Sequence, residues 1–276
     1  MKIETRNLVY IYLEGSPLET LAIENIDIKI EKHQVVAILG KSGSGKSTLI
    51  QHFNGLLNPT AGKVLVDDKN IDEYNDINIA HKIGLVFQFP EIQLFEETVY
   101  DDIAFGPRNL GWDENEINNS VLWAVNNFSP EIKDKFDKSP FELSGGEMRK
   151  VAICGILAMK PDVLCFDEPT AGLDPKSKNE FYSLIMRLHK KGLQVVFITH
   201  DIEDALEYAD RIIIMENGKI AEDFQKVELK KNMEILLKYD FDLPQYYKIS
   251  KYLSENIDFP KCYNEKQLLK NIDNKV

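Results

Sequence analysis

Gly40-Lys41-Ser42-Gly43-Ser44-Gly45-Lys46-Ser47 is the stretch on which the reading of the fold turns. It follows a continuously apolar run, Val35-Val36-Ala37-Ile38-Leu39, and leads into a helical pattern over about 46–57. Strand, glycine-rich turn and helix, in that order, form a cradle for phosphate. The glycines let the chain curl so that several backbone N–H groups converge on β- and γ-phosphates. The helix N-terminus adds its dipole. Lys46 would supply a point charge there, Ser47 a hydroxyl for Mg²⁺, and Thr48 a hydrogen bond to an α-phosphate. The loop predicts a nucleoside triphosphate site at the end of a buried strand.

A second stretch, Leu143-Ser144-Gly145-Gly146-Glu147, predicts that this loop does not complete the site alone. A helix start at Ser144, Gly145 and Gly146 would face the phosphates held by another such subunit, so the nucleotide is sandwiched between two chains. Val163 to Phe166 reads as a buried strand delivering Asp167 and Glu168 at its C-terminal end, where ligands sit in parallel α/β sheets. Asp167 is expected to hold Mg²⁺ through water, and Glu168 to polarise the attacking water as general base. His200 ends the strand Gln194 to Thr199 and is expected to contact the γ-phosphate. Gln88 follows Ile83 to Phe87, and its amide can reach Mg²⁺ and the attacking water. Asp174, in Ala171-Gly172-Leu173-Asp174, is expected at the seam between subunits. Tyr12 is expected to stack on adenine, with Tyr10 on the opposite face of its strand if pairing is regular. Without ATP, Lys46 is expected to face solvent. Taken singly, His200 could be an exposed strand end and Tyr12 a core or surface aromatic on an edge strand; for His200, a strand leading to the same sheet edge as Glu168 favours the γ-phosphate contact.

The chain's 276 residues allow one large domain and a small appendage. A net charge of −12 disfavours nucleic acid as a partner, because such binders carry a basic face. No apolar run approaches the roughly 18 residues needed to span a bilayer. The N-terminus, MKIETRNLVYIY, lacks the apolar core and cleavage site of a signal peptide and reads as a first strand. Cys154, Cys165 and Cys262 are scattered and make no C-x-x-C pair; they read as buried thiols of a reducing cytosol. Ile26, Ile28 and Ile30 alternate with polar residues, so 24–31 reads as a half-buried strand of an N-terminal antiparallel sheet. Further strands are expected at Ile212 to Met215 and Val195 to Ile198, and helices at about 114–127, 146–158, 177–191 and 201–208. Residues 98–142 interrupt the strand rhythm as an inserted helical part. Past residue 224 the composition shifts to Lys, Asn, Tyr and Leu, and 225–276 reads as short helices split by Pro244 and Pro260.

In order and spacing, these motifs resemble ATP-binding cassette ATPases over about residues 1–223. A narrower resemblance rests on Phe87-Gln88-Phe89-Pro90-Glu91, Gln93-Leu94-Phe95-Glu96-Glu97-Thr98-Val99, Ala104-Phe105-Gly106-Pro107 and Ser139-Pro140-Phe141-Glu142 before Leu143. So does Asn54-Gly55-Leu56-Leu57-Asn58-Pro59-Thr60. These resemble the A-component ATPase of energy-coupling factor (ECF) transporters, in the second of its two paralogous types. The resemblance implies an α/β P-loop ATP-binding cassette fold with a RecA-like parallel core sheet and an N-terminal antiparallel β subdomain. It also implies an inserted helical signature subdomain at about 90–158 within a cassette at 1–224, and a small C-terminal helical appendage at 225–276.

The resemblance further implies ATP and Mg²⁺ as cofactors and a heterodimer with a paralogous ATPase at the cytoplasmic face of the cell membrane. There the pair would drive a transmembrane T component and substrate-binding S components for vitamins or transition-metal ions. The chain itself would bind no transported substrate. Glu147 departs from the glutamine usual in the family, and its negative charge near the subunit interface puts that half-site's strength in question. Phe89, Phe95, Tyr100 and Phe105 interleave with Glu91, Glu96, Glu97, Asp101 and Asp102; the segment reads as a groove for a basic coupling helix, or as a solvated face. The alternatives are the ATPase of another ABC transporter, a soluble cassette ATPase acting on nucleic acid or the ribosome, or a non-hydrolysing paralogue.

Overall fold

The computed structural model describes residues 1–74, 76–257 and 259–274, with 76–78 described by backbone alone. Positions 258, 275 and 276 of the expected tail lie outside the described residues. In chain order the elements are β1 (Ile3–Tyr12), β2 (Thr20–Ile30), β3 (Val35–Leu39), α1 (Lys46–Phe53), β4 (Ala61–Val66), β5 (Lys69–Asn70), α2 (Asp76–Lys82) and β6 (Ile83–Val86). There follow α3 (Val99–Asn109), α4 (Glu114–Phe128), α5 (Gly145–Ala158), β7 (Val163–Asp167), α6 (Pro175–His189), β8 (Gln194–Ile198) and α7 (Ile202–Tyr208). The chain ends with β9 (Arg211–Glu216), β10 (Lys219–Gln225), α8 (Lys226–Lys231), α9 (Gln245–Asn256) and α10 (Glu265–Asp273).

Two sheets form. The first is antiparallel, in the order β2-β1-β4-β5; the second runs β10-β9-β3-β8-β7-β6 and is parallel except for β10. The apolar run 35–39 explains the second sheet. Val35, Ala37 and Leu39 pack into one buried cluster, while Val36 and Ile38 pack into another on the opposite face. Successive side chains of a strand point to opposite faces, so a strand covered on both sides must be apolar throughout. Leu229, Met233, Leu236, Tyr239 and Tyr247 of the tail join the first of these clusters. The three cysteines are buried and unpaired, and burial pushes the Cys165 thiol up to about 12.

The structure corrects several boundaries. The helix expected over 46–57 ends at Phe53, because Gly55 turns the chain at φ +76° and Leu56 and Leu57 both donate back to the Gln51 carbonyl. Helix α6 starts at Pro175, not 177: Asp174 accepts from the Lys176 and Ser177 amides, and proline suits a first helical position. The strands β4 and β5 were not expected from the sequence. They complete the antiparallel sheet, pairing through Val64 to Val66 against Ile3 to Thr5.

Candidate nucleotide site

The phosphate loop is closed by its walls. A Cβ on Gly40, at φ +153°, would lie 2.4 Å from the Met215 carbonyl oxygen. One on Gly45, at φ +96°, would lie 2.7 Å from the carbonyl oxygen of Ala22. Only glycine fits such positions. Lys46 does not face solvent as expected: it is 6% exposed, and its Nζ donates to the Gly40 carbonyl at 2.8 Å and the Lys41 carbonyl at 2.7 Å. Burial lowers its pKa, and the charges of Glu168 and Asp167 partly restore it. Thr48 is buried, and its hydroxyl lies 3.1 Å from that of Tyr12, whose ring remains partly exposed. Tyr10 is not on the opposite face. Residues two apart on a strand share a face, and the Tyr10 and Tyr12 rings meet edge to face at 4.8 Å. On the β9 side of the loop, a cavity of about 310 Å³ is lined by Lys41, Asn217, Tyr239 and Phe241 among others, and Lys41 pairs with Asp240 of the tail.

The parallel order brings the other expected residues to the same edge. Strand β7 ends in Asp167 and is followed by Glu168. Burial raises the Asp167 pKa; the nearby Ser47 hydroxyl pulls the other way. Gln88 follows the neighbouring strand β6, and its Nε2 donates to Glu168 Oε2 at 3.2 Å. His200 follows β8, with Nδ1 at 3.7 Å from the same oxygen. Two non-glycine residues flank this grouping in left-handed backbone: Phe89 at φ +54° and Glu168 at φ +46°. Such conformations are rare and concentrate at functional sites.

The signature residues lie apart from this edge. Ser144, Gly146 and Glu147 line a different cavity, of about 240 Å³, with Leu173, Ser177 and Phe181. Gly145 is the first residue of α5. Asp174 is near the same cavity through Ser177, whose hydroxyl donates to it at 2.6 Å. Glu147 accepts from the Ser144 amide at 3.0 Å and from the Ser144 hydroxyl at 2.9 Å, and forms an ion pair with Lys135. The Lys135 ammonium and these Ser144 bonds hold its carboxyl down at about 2. Its extra charge is thus locally neutralised.

One residue was missed in the sequence. Arg149 on α5 is nearly buried; it donates twice to the Glu91 carboxylate, at 3.1 Å each, and also to the carbonyls of Pro169 and Ala171. Its signal was available only as a Glu-to-Arg complementarity between distant motifs. It also corrects the acidic groove. Glu91 is engaged by Arg149, Asp101 by Arg108 and Thr98, and Asp102 by the Phe95 and Glu96 amides. Among the described residues, Glu96 and Glu97 are the two of these five acids whose carboxylates make no hydrogen bond or ion pair.

This fold and this edge define an ATP-binding cassette ATPase. The family model described as "ABC transporter" matches residues 23–171, just over half of the chain. An energy-coupling factor transporter ATP-binding protein EcfA2 from Clostridium perfringens is 46% identical over 248 residues, covering 89% of this chain and 87% of that protein. Its counterpart from Clostridium tetani is 42% identical over 286 residues, covering 100% and 99%. Among solved structures, cbiO1 from Clostridium perfringens, described as part of the ABC transporter complex cbiONQ, superposes with TM-score 0.75 at 36% identity, covering 91% of this chain and 98% of that one. The cassette MJ0796, in a dimeric post-hydrolysis state bound to ADP and Pi, gives 0.71 at 27% identity, covering 81% and 98%. The chain belongs to the ECF transporter A-component ATPases, of the EcfA2 type, and is an ATP-binding, ATP-hydrolysing transporter subunit.

Lys46→Ala should weaken ATP binding by at least about tenfold, the worth of one lost charge-assisted hydrogen bond or more. Because Lys46 also ties two loop carbonyls, melting should show a loss of about 1–3 kcal/mol. Calorimetric titration with unchanged affinity would remove Lys46 from the phosphate site.

Proposed function

We propose that this chain is one of two unequal ATPases that close face to face on ATP and drive an ECF-type importer of vitamins or transition-metal ions. The cassette comprises residues 1–224 and the appendage 225–276. One observation carries this reading: Lys46, Asp167, Glu168, Gln88 and His200 share one sheet edge, while Ser144 and Gly146 open a separate cavity. Each half of a nucleotide site is present, and a second cassette supplies the complement to each. Its paralogue, a T component and S components are the partners, at the cytoplasmic face of the membrane. Among the described residues no helix is long and apolar enough to cross a bilayer.

The roles follow from chemistry at the edge. The amides from Gly40 to Thr48 and the Lys46 ammonium hold phosphate, and Tyr12 stacks on adenine. Mg²⁺ fits the donors present: Ser47, Gln88 and Asp167 offer hard oxygens, and the Ser47 hydroxyl lies near the Asp167 carboxylate. When bound it neutralises phosphate charge. Glu168, oriented by Gln88, accepts a proton from the attacking water, and His200 steadies the γ-phosphate. Ser144, Gly145, Gly146 and Asp174 serve the partner's nucleotide. Phe95 and Phe105 flank a cavity of about 160 Å³ between α3 and α5, with Glu96 and Glu97 beside them, as a dock for a basic helix of the T component. Another ABC transporter would use the same parts; the acidic balance speaks against a nucleic-acid or ribosomal role.

Glu168→Gln should keep ATP binding, cut hydrolysis by roughly 10²–10⁴-fold and trap the closed pair. Near-normal turnover in the assembled complex would take the base role away from Glu168. The isolated chain should hydrolyse ATP weakly, with specific activity rising with protein concentration and on addition of the paralogue. Concentration-independent high activity would contradict the sandwich. Reversing Glu96 and Glu97 to Lys should leave nucleotide affinity intact but weaken membrane-subunit docking by several kcal/mol if the pair is desolvated there. A rim effect of about 0–1 kcal/mol would place the dock elsewhere.

A further inference from the structure

Glu168 sits in a strained backbone position, and the segments on either side of its carboxylate come from different parts of the chain. On one side is Gln88, which donates to it. Three residues on, Glu91 begins to turn away in a 3-10 segment, Pro90–Gln93. On the other side Pro169 follows Glu168 directly. Both segments converge on Arg149. Its Nε and one terminal nitrogen bind the two oxygens of Glu91, and the other terminal nitrogen donates to the Pro169 carbonyl at 3.4 Å and the Ala171 carbonyl at 3.3 Å. The planar guanidinium thus spans the Gln88 segment and the Glu168 segment as one rigid fork. Arg149 lies one turn past Gly145, on the helix that begins with the signature.

We infer that Arg149 is a positioning residue for the Glu168 carboxylate, fixing its separation from Gln88 and tying that separation to the placement of the signature helix. A merely structural arginine would fill space and neutralise Glu91. This one instead ties the segment that carries Gln88 to the segment that follows the reacting carboxylate, with four hydrogen bonds from one buried group. An ammonium cannot reproduce the fork, because it is a point charge on a flexible stem. The inference rests on the proposed role of Glu168, and its test separates the two.

The measurement is ATP turnover of the complex purified from membranes through this chain, for Arg149→Lys, Glu168→Gln and the double variant. Arg149→Lys should lower kcat by about 10–100-fold, as misplacement of a reacting group by about 1 Å does, with KM for ATP changed less than about twofold. In the Glu168→Gln background, Arg149→Lys should cause no further loss, because residues that act as a unit are not additive. Unchanged kcat in Arg149→Lys, or a full additional loss in the double variant, would overturn the inference. Intact turnover in Glu168→Gln alone would instead overturn the role of Glu168. If Arg149→Lys does not yield folded complex, Glu91→Gln carries the same comparison from the other end of the fork, with the same outcomes deciding it.

Discussion

Burial of the parallel sheet on both faces is the constraint from which the site follows. Each of β3, β7 and β8 is apolar along nearly its whole length, and alternate residues feed two separate cores. Such a sheet has no free face on which to build a polar site. Its only opening is the edge where strands end, and chain order there is set by topology, not by sequence distance. That is how Lys46 after β3, Gln88 after β6, Glu168 after β7 and His200 after β8 come to one place.

At that edge, polar groups are held by one another at some cost in backbone strain. A residue forced into left-handed backbone costs on the order of 1–3 kcal/mol. Phe89 and Glu168 both adopt it. The Gln88–Glu168 hydrogen bond and the Arg149 contact to Glu91 bracket Phe89, and the Arg149 contact to the Pro169 carbonyl lies directly after Glu168. Lys46 shows the same economy. Its ammonium is buried yet satisfied by two carbonyls of the loop it belongs to, so the loop's curl and its charge are one arrangement.

Most of this was legible in the sequence because the carriers are local: a glycine-rich turn after an apolar run and an acidic pair at a strand end, whereas the capping Asp174 before Pro175, although local, moves a helix start expected at 177. The strand pattern at 26–30 and the run at 35–39 gave the two kinds of sheet correctly, since alternation and continuity of apolar residues are physical signatures of one-sided and two-sided burial. What failed was non-local. Residues 61–66 carry no strong strand pattern and pair only because β1 offers an edge. The length of α1 depended on a turn at Gly55 that an apolar pattern over 46–57 concealed. The burial of Lys46 depended on carbonyls that only the folded loop presents. Glu91 and Arg149 are 58 positions apart, and no local rule pairs them.

Glu147, which stands where the resemblance implies a glutamine, shows how an added charge can be absorbed. An acid in the first turn of a helix is favoured by the helix dipole, and here it also accepts from the Ser144 amide. Its folded pKa of about 2 lies below the 4.5 of a free carboxylate, so its contribution is present at neutral pH and is lost progressively as pH falls from about 4.5 through about 2. The Lys135 ammonium balances the charge, so a charged pair stands where a neutral glutamine would stand alone. The difference that remains concerns the Ser144 hydroxyl, which donates to Glu147 at 2.9 Å. In the closed pair proposed above, a partner's phosphate would have to compete with that carboxylate for the hydroxyl, while the amides of Gly145 and Gly146 would carry no such competition. The weight of the contact therefore shifts from the serine to the helix N-terminus behind it.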